Sequence, residues 1–361
     1  MESHLKQFLP FFMVLVFTVA ASNLLAETLY VDCRNGRDKN PGTKKQPLKT
    51  IERAAEVVNS VTEPGPTIIK IIPGIYNLPK CAVFENRRPY TEKERLVIEA
   101  VISPDDPTWK PALMPVILST EDPRQPGKLD KHTETYSLKI KISHVTISGL
   151  KFCGNPLANN WHACVERVGE NLDDLLVTQC MFVGNKNVLD IYCATLATGN
   201  RFVLDHNVFS NCHACVVFWD GLQGIPGKGN AMRHCIVDGA YISGVWTCQT
   251  GEDLEFHHNI VTRSEYFWMR KSGDKQEYRL QDCIVTNNRY YSGYGVESGP
   301  TGPTGSEVIF EERNVIKQGT LTLVKDTRAR DFLHVVEGTL GDDLEAGLFR
   351  KQCARGENPG R

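Results

Sequence analysis

The sequence predicts an all-β solenoid, a parallel β-helix, on three observations. First, a short phrase recurs seven times, as VTISGLKF (145–152), LLVTQCMF (175–182), FVLDHNVF (202–209), AMRHCIV (231–237), LEFHHNIV (254–261), YRLQDCIV (278–285) and IFEERNVI (309–316). Second, aligned on Leu150, Cys180, Asn207, Cys235, Asn259, Cys283 and Asn314, the copies step by 24 to 31 residues, the interval of a repeat architecture. Third, apolar residues within each copy fall two or three apart, in runs rich in Val, Ile and Phe. That spacing suits short strands broken by bends.

Other solenoids fit poorly. Helical repeats of this length need two helices each, and frequent Gly, Asn and Asp leave no room for them. Leucine-rich repeats need a Leu framework that is absent. Each repeat then forms one coil of about three short strands, and coils stack roughly 4.8 Å apart. Ile147, Val177, Leu204, Met232, Phe256 and Leu280 stand three before the anchors, with a slip to Phe310 in the last copy. Phe152, Phe182, Phe209, Val237, Val261, Val285 and Ile316 stand two after. Both columns are expected to fill the core.

Taken in order, residues 1–26 read as a secretory leader, with a retained membrane anchor as the alternative. Lys6 supplies positive charge, 8–21 is nearly continuous apolar sequence, and Ala26 offers a small residue for cleavage. Residues 27–66 read as a strand, a loop and a capping helix with Thr50 as N-cap. That helix would cover the solenoid's open end. Residues 67–320 form the solenoid, with 68–79 as the first coil and GPTGPTG (299–305) as a surface loop. Residues 321–361 leave the repeat and read as a C-terminal cap and tail.

The anchor column has its own logic. Asn at a tight inward bend can hydrogen-bond neighbouring coils as a ladder. Cys is a small, buryable substitute. This Asn/Cys column resembles the asparagine ladder of right-handed parallel β-helices of the pectate-lyase-like superfamily. The segment YVDCRNGRDKNPGTKKQPLKTIERAAEVV (30–58) is similar to the N-terminal segment of many secreted bacterial members, and the PGIY turn at 73–76 matches a turn common there. The resemblance implies a right-handed, single-stranded helix and says little about activity, because the fold hosts many functions.

Twelve Cys would suggest disulfides in a secreted chain. The repeat instead makes Cys180, Cys235 and Cys283 buried thiols, and places Cys193 and Cys248 in a second interior column. Cys33 with Cys81, or Cys212 with Cys215, remain open to bridging. CHAC (212–215) has no second pair at zinc spacing. A net charge of −2 gives no basic field for nucleic acid. No run beyond the leader is long and apolar enough for a membrane span, so no membrane partner is expected after cleavage. A secreted or periplasmic monomer is expected.

Outward side chains on stacked coils form ladders, and a ladder of suitable chemistry is a binding groove. The segments 10–13 residues after the anchors carry the candidates: NWHA (160–163), DIYC (190–193), VFWD (217–220), VWTC (245–248), MRKS (269–272) and GYGV (293–296). Tyr192, Trp219, Trp246, His213, Glu166 and Tyr294 are the expected substrate-binding residues. Exposed aromatics suit the apolar faces of sugar rings. Asp190, Asp220, Arg270 and Lys271 are the expected catalytic residues. A hydrolase would use Asp190 and Asp220 as its carboxylate pair. A lyase would use a cationic residue as base, as the resemblance implies, with Arg270 and Lys271 as candidates and Ca²⁺ on acidic loops as a cofactor. Asp32 and Asp38 are calcium candidates, though a turn held by Asn40 and Pro41 competes. The stacked His206, His234 and His258, with Asp282 beyond, offer a metal or anion site beside the plainer reading of solvent-facing bends. The expected function is binding and cleavage of a polysaccharide. The alternative is a non-catalytic carbohydrate-binding or adhesion β-helix.

Overall fold

Three strands recur in each coil, and each pairs in parallel with its counterpart in the next. The computed structural model describes residues 27–350, except 86, 125–131, 222, 223, 226, 249–252, 273, 275, 297, 298 and 304–309. The expected leader, the end of the GPTGPTG stretch and the tail beyond 350 lie outside the described residues. The first face stacks Glu27–Val31, Thr67–Ile71, Leu96–Ala100, Val145–Ser148, Asp173–Thr178, Asn200–Asp205, Ala231–Arg233, Glu255–His257, the start of Tyr278–Thr286, and Phe310–Ile316. The second runs from Ile75–Leu78 through Lys151–Cys153 and Val208–Ser210 to the end of Tyr278–Thr286. The third runs from Ala82–Phe84 through Thr133–Ile140, Asn160–Arg167, Cys193–Ala197, Ala214–Phe218, Ser243–Thr247 and Tyr266–Lys271 to Tyr290–Val296. The chain is a parallel β-helix.

The two apolar columns are in register and buried as far as Leu280 and Val285, but in the last copy Phe310 pairs with Tyr278 and the exposed Ile316 with Ile284. Ile147 pairs with Val177, Val177 with Leu204, Leu204 with Met232, and Met232 with Phe256. Phe152, Phe182 and Phe209 stack face to face at 5.0 and 4.9 Å. The anchor column works by alternation. Asn207 Oδ1 accepts the Cys180 N–H at 2.9 Å and its Nδ2 donates to the Val177 carbonyl at 2.8 Å. Asn259 does the same for Cys235 and Met232, at 2.9 and 2.7 Å. Each Asn therefore satisfies the bend of the preceding coil, while each thiol donates back to its own strand.

The last copy departs from expectation. Cys283 pairs with Val315, so Val315 and not Asn314 occupies the anchor position. Asn314 takes the left-handed bend conformation (φ 54°) shared by Gln179, His206, His234, His258 and Asp282. Its amide donates to Asp282 outside the core.

The capping helix α1, Ile51–Ser60, starts at Thr50, whose hydroxyl accepts the Arg53 N–H. It buries Ile51, Ala54, Ala55 and Val58 against the first coils. Gly299–Pro303 does not loop freely but pairs antiparallel with Tyr290–Val296. Residues 321–350 do not close the end of the solenoid. They run back along the second face as a strap. Leu323, Leu333, Val335, Ala346 and Leu348 cover the outward ladder Met181, Val208, Ile236, Ile260 and Ile284. The strap reaches early coils through Arg330, which donates to the carbonyls of Pro104, Asp106 and Pro107.

None of the eleven described cysteines forms a disulfide, so neither Cys33–Cys81 nor Cys212–Cys215 is bridged. Cys193 and Cys248 do not form an interior column. They belong to an apolar cluster outside the third face, and Cys164 and Cys215 enter the core instead. The reason is local: third-face strands break strict alternation. The consecutive pairs Cys164–Val165, Cys215–Val216 and Phe267–Trp268 all point inward.

Candidate functional site

That break in alternation decides what the third face shows to solvent. Small residues, Ala163, Cys193, Ala214 and Ser243, lie in register along its outer side. Rings stand beside them. Tyr136, Trp161, Tyr192, His213 and Tyr241 form a continuous row, with successive centroids 5.9, 5.8, 5.3 and 5.5 Å apart. The row crosses five coils, roughly 19 Å at 4.8 Å per coil. Trp161, Tyr192 and His213 are half-buried, and Tyr241 is exposed.

Carboxyl groups crowd one end of the row. Glu166 lies 3.3 Å from Lys139 Nζ, which also stands 3.5 Å from the centre of the Tyr136 ring. The Tyr136 hydroxyl donates to Glu134 at 2.9 Å. Burial pushes the Glu166 carboxyl above its ordinary range, against the pull of Lys139. Burial does the same for Glu121, whose Oε2 is enclosed with no hydrogen-bond partner. Tyr136 and Tyr192 are raised as well, both chiefly by burial. At the other end, Tyr241 borders an open depression of about 690 Å³ lined with Lys186, Arg263, Glu265 and Arg289.

The expected residues divide as follows. Tyr192 and His213 lie within the row, and Glu166 at its end. Trp219 is half-buried beside the outer cluster, and Trp246 is buried within it. Tyr294 is half-buried on the last parallel strand, in register with Arg270.

Asp190 and Asp220 do not make a carboxylate pair. Cys193 pairs with Ala214 and Ala197 with Phe218, so Asp190 precedes the paired stretch and Asp220 follows it. That stretch alone rises roughly 13 Å. Carboxyl spacings in glycoside hydrolysis are about 5.5 Å in retaining and at most about 9.5 Å in inverting enzymes. Asp190 Oδ1 instead faces His213 Nε2 at 3.1 Å, both atoms enclosed, without hydrogen-bond alignment.

Arg270 is a second correction. It points inward, is 1% exposed, and serves the bend before Tyr278. It lies 3.4 Å from Asp274, donates to the Gln276 carbonyl at 2.5 Å, and covers the Tyr278 ring. Arg167 has the same role several coils earlier, donating to the carbonyls of Thr198 and Asn200. Lys271 does reach the surface, but its ammonium donates to the buried Asp220 at 2.8 Å.

The calcium expectation finds no cage at the first loop. Asp32 accepts from the Arg34 and Asn35 backbone and the Asn35 amide. Asp38 accepts from the Lys49 and Thr50 backbone and the Thr50 hydroxyl. Asn40 donates to the Pro47 carbonyl. These carboxylates hold a turn.

Sequence reasoning missed Tyr136, Lys139, Glu121, Glu134 and Tyr241. The alternation in TETYSLKI (133–140) could have exposed Glu134 and Tyr136, but not Lys139, which lies beyond the inward pair Ser137–Leu138, and the strand precedes the first copy of the recurring phrase.

No family model and no curated protein matches the sequence. Among solved structures, the chain is similar to a rhamnogalacturonan lyase, at 13% identity and a TM-score of 0.50, over 81% of this chain and 75% of that one. It is also similar to a pectin methylesterase bound to a hexasaccharide, at 11% identity and a TM-score of 0.48, over 89% and 97%. A pectin methylesterase from Aspergillus niger gives 14% identity and a TM-score of 0.45, over 89% and 95%. At such identities the likeness is one of architecture, and the chain has a parallel β-helix fold.

Proposed function

We propose that the outer side of the third face binds a polysaccharide along the row from Tyr136 to Tyr241. The continuity of the five rings carries this reading. Rings repeated at coil spacing offer one apolar platform per step, and the flanking carboxylates and cations supply hydrogen bonds to hydroxyls. The similar solved structure of a rhamnogalacturonan lyase agrees with a carbohydrate partner. Export from the cytoplasm belongs to the proposal and rests on Lys6 and the apolar run at 8–21.

Cleavage is the finer element of the proposal. Glu166 is the proton donor, because burial keeps its carboxyl protonated to higher pH. Lysine-based lyase chemistry has less support. Lys139 and Lys271 are each already engaged by a carboxylate of the protein. A purely binding role is the second reading. The separation of Asp190 from Asp220 favours it, since the expected hydrolytic pair is missing.

A polysaccharide panel, assayed for retention, for reducing ends and for absorbance of unsaturated uronate, tests the proposal. Retention with reducing ends alone supports hydrolysis. Retention with neither product signal reduces the function to binding. Unsaturated uronate would overturn the acid assignment to Glu166. No retention on any polysaccharide would overturn the proposal as a whole.

A further inference from the structure

Three histidines converge outside the first face, away from the row of rings. Glu255–His257 alternates out, in, out, which places Phe256 in the core and the His257 ring outside. His234 and His258 occupy the left-handed bend position of successive coils, with φ 50° and 54°. Their rings stack at 4.9 Å. His257 meets them edge-on, with centroids 5.8 Å from His234 and 5.1 Å from His258. One ring nitrogen from each residue lies within 4.8 Å of the other two.

The spacing of the ring nitrogens is that of a ligand set. His257 Nδ1 and His258 Nδ1 share a hydrogen bond at 3.0 Å, whose proton an ion would replace. Two nitrogens on one tetrahedral ion with bonds of 2.0–2.1 Å stand roughly 3.3 Å apart. His234 Nδ1 lies 3.2 Å from the Leu344 carbonyl. A carbonyl can only accept, so Nδ1 carries the proton and Nε2 keeps its lone pair. Outer contacts of this kind orient metal-bound imidazoles and fix their tautomer. His206 is a neighbour and not a member. It stacks on His234 at 4.6 Å, and its Nδ1 is held by Asp205 at 2.9 Å.

We propose that His234, His257 and His258 bind one divalent transition-metal ion of the zinc class. Three imidazoles suit Zn²⁺, Ni²⁺ or Cu²⁺ and not the oxygen-seeking Ca²⁺ or Mg²⁺. All three rings are half-buried, which leaves further coordination positions to water. Charges nearby are already matched. Arg233 lies 3.4 Å from Asp205 and 3.7 Å from Glu255, and Asp282 accepts from Gln281 and Asn314. The Gly347 N–H also donates to the His234 carbonyl, so the strap and two coils meet at this point. An ion bound there fastens the strap to the solenoid, and excess metal raises thermal stability by mass action.

Titration of the full chain with Co²⁺, followed by visible absorption, and displacement of Co²⁺ by Zn²⁺ test this. The expected result is one equivalent of Co²⁺ with d–d bands and no thiolate charge-transfer band. His257→Ala and His257→Gln each weaken binding about tenfold or more, while His206→Ala does not. Far-UV circular dichroism confirms that the variants are folded. Absence of saturable binding, a thiolate charge-transfer band, or unchanged affinity in folded His257 variants would overturn the proposal.

Discussion

Lys139 Nζ lies 3.3 Å from Glu166 Oε2 on the outer side of the third face. The pair joins the carboxyl cluster to the row of rings through Tyr136, above which the same ammonium stands. Burial outweighs Lys139 at Glu166, so the neutral acid persists to higher pH than in an ordinary glutamate. If Glu166 donates the proton in cleavage, the alkaline limb of the pH–rate profile belongs to it, and rates fall as pH rises through its raised pKa. Glu166→Gln then loses cleavage by about 100-fold or more while retaining sugar binding. An unchanged alkaline limb in an active Glu166→Gln variant contradicts the assignment.

The two neighbours Arg270 and Lys271 separate structure from surface. Arg270→Ala leaves Asp274 buried beside a cavity and costs about 3–5 kcal/mol, as for other broken buried pairs. Urea unfolding measures it. A full-stability variant that loses only carbohydrate binding would return Arg270 to the outer surface.

The bend ladder makes a sharper contrast. Asn207→Ala leaves the Cys180 N–H and the Val177 carbonyl unpaired in the core. At about 1–3 kcal/mol for each stranded group, the expected loss is about 2–6 kcal/mol. Asn314→Ala removes only an exposed contact to Asp282 and changes stability by less than about 0.5 kcal/mol. Equal losses at the two positions would mean that Asn314 is a core anchor after all.

His162 makes folding sensitive to acid. It is fully enclosed between Thr135 and Ser137, and burial pushes its pKa down to about 3, from 6.5. The unfolded chain therefore binds the proton first. The stabilisation is complete above about pH 6.5 and is lost as pH falls toward 3. Denaturant midpoints for the wild type should drop between pH 7.5 and 4.5 by more than those for His162→Gln. Parallel curves for the two proteins would contradict this.

The fold is legible because a solenoid writes its core once per coil. Ile147, Val177 and Leu204 repeat in sequence and pair in space for the same reason. The anchor column is legible up to Cys283. It fails at Asn314 because Asn suits both an inward anchor and a left-handed bend. The site is harder to read. A period of two assigns sides only while alternation holds, and the inward pair Cys215–Val216 breaks it. Strict parity therefore puts Cys193 inside and Arg270 outside, and neither strand keeps that parity. Asp190 and Asp220 look like partners on adjacent coils because coil number is readable and position along the strand is not. Tyr192 and His213 are readable as outer candidates, but their continuity with Tyr136 and Tyr241 depends on bends whose lengths differ between coils.

The central claim is that the row of rings is the carbohydrate platform. Affinity electrophoresis through gels containing the panel polysaccharides tests it most directly, comparing wild type with Trp161→Ala, Tyr192→Ala and the double variant. The prediction is that at least one polysaccharide retards the wild type. Each single variant should bind about tenfold more weakly, equivalent to about 1.4 kcal/mol, and the double variant should migrate as in an empty gel. Equal retardation of the wild type and the folded double variant would contradict the account.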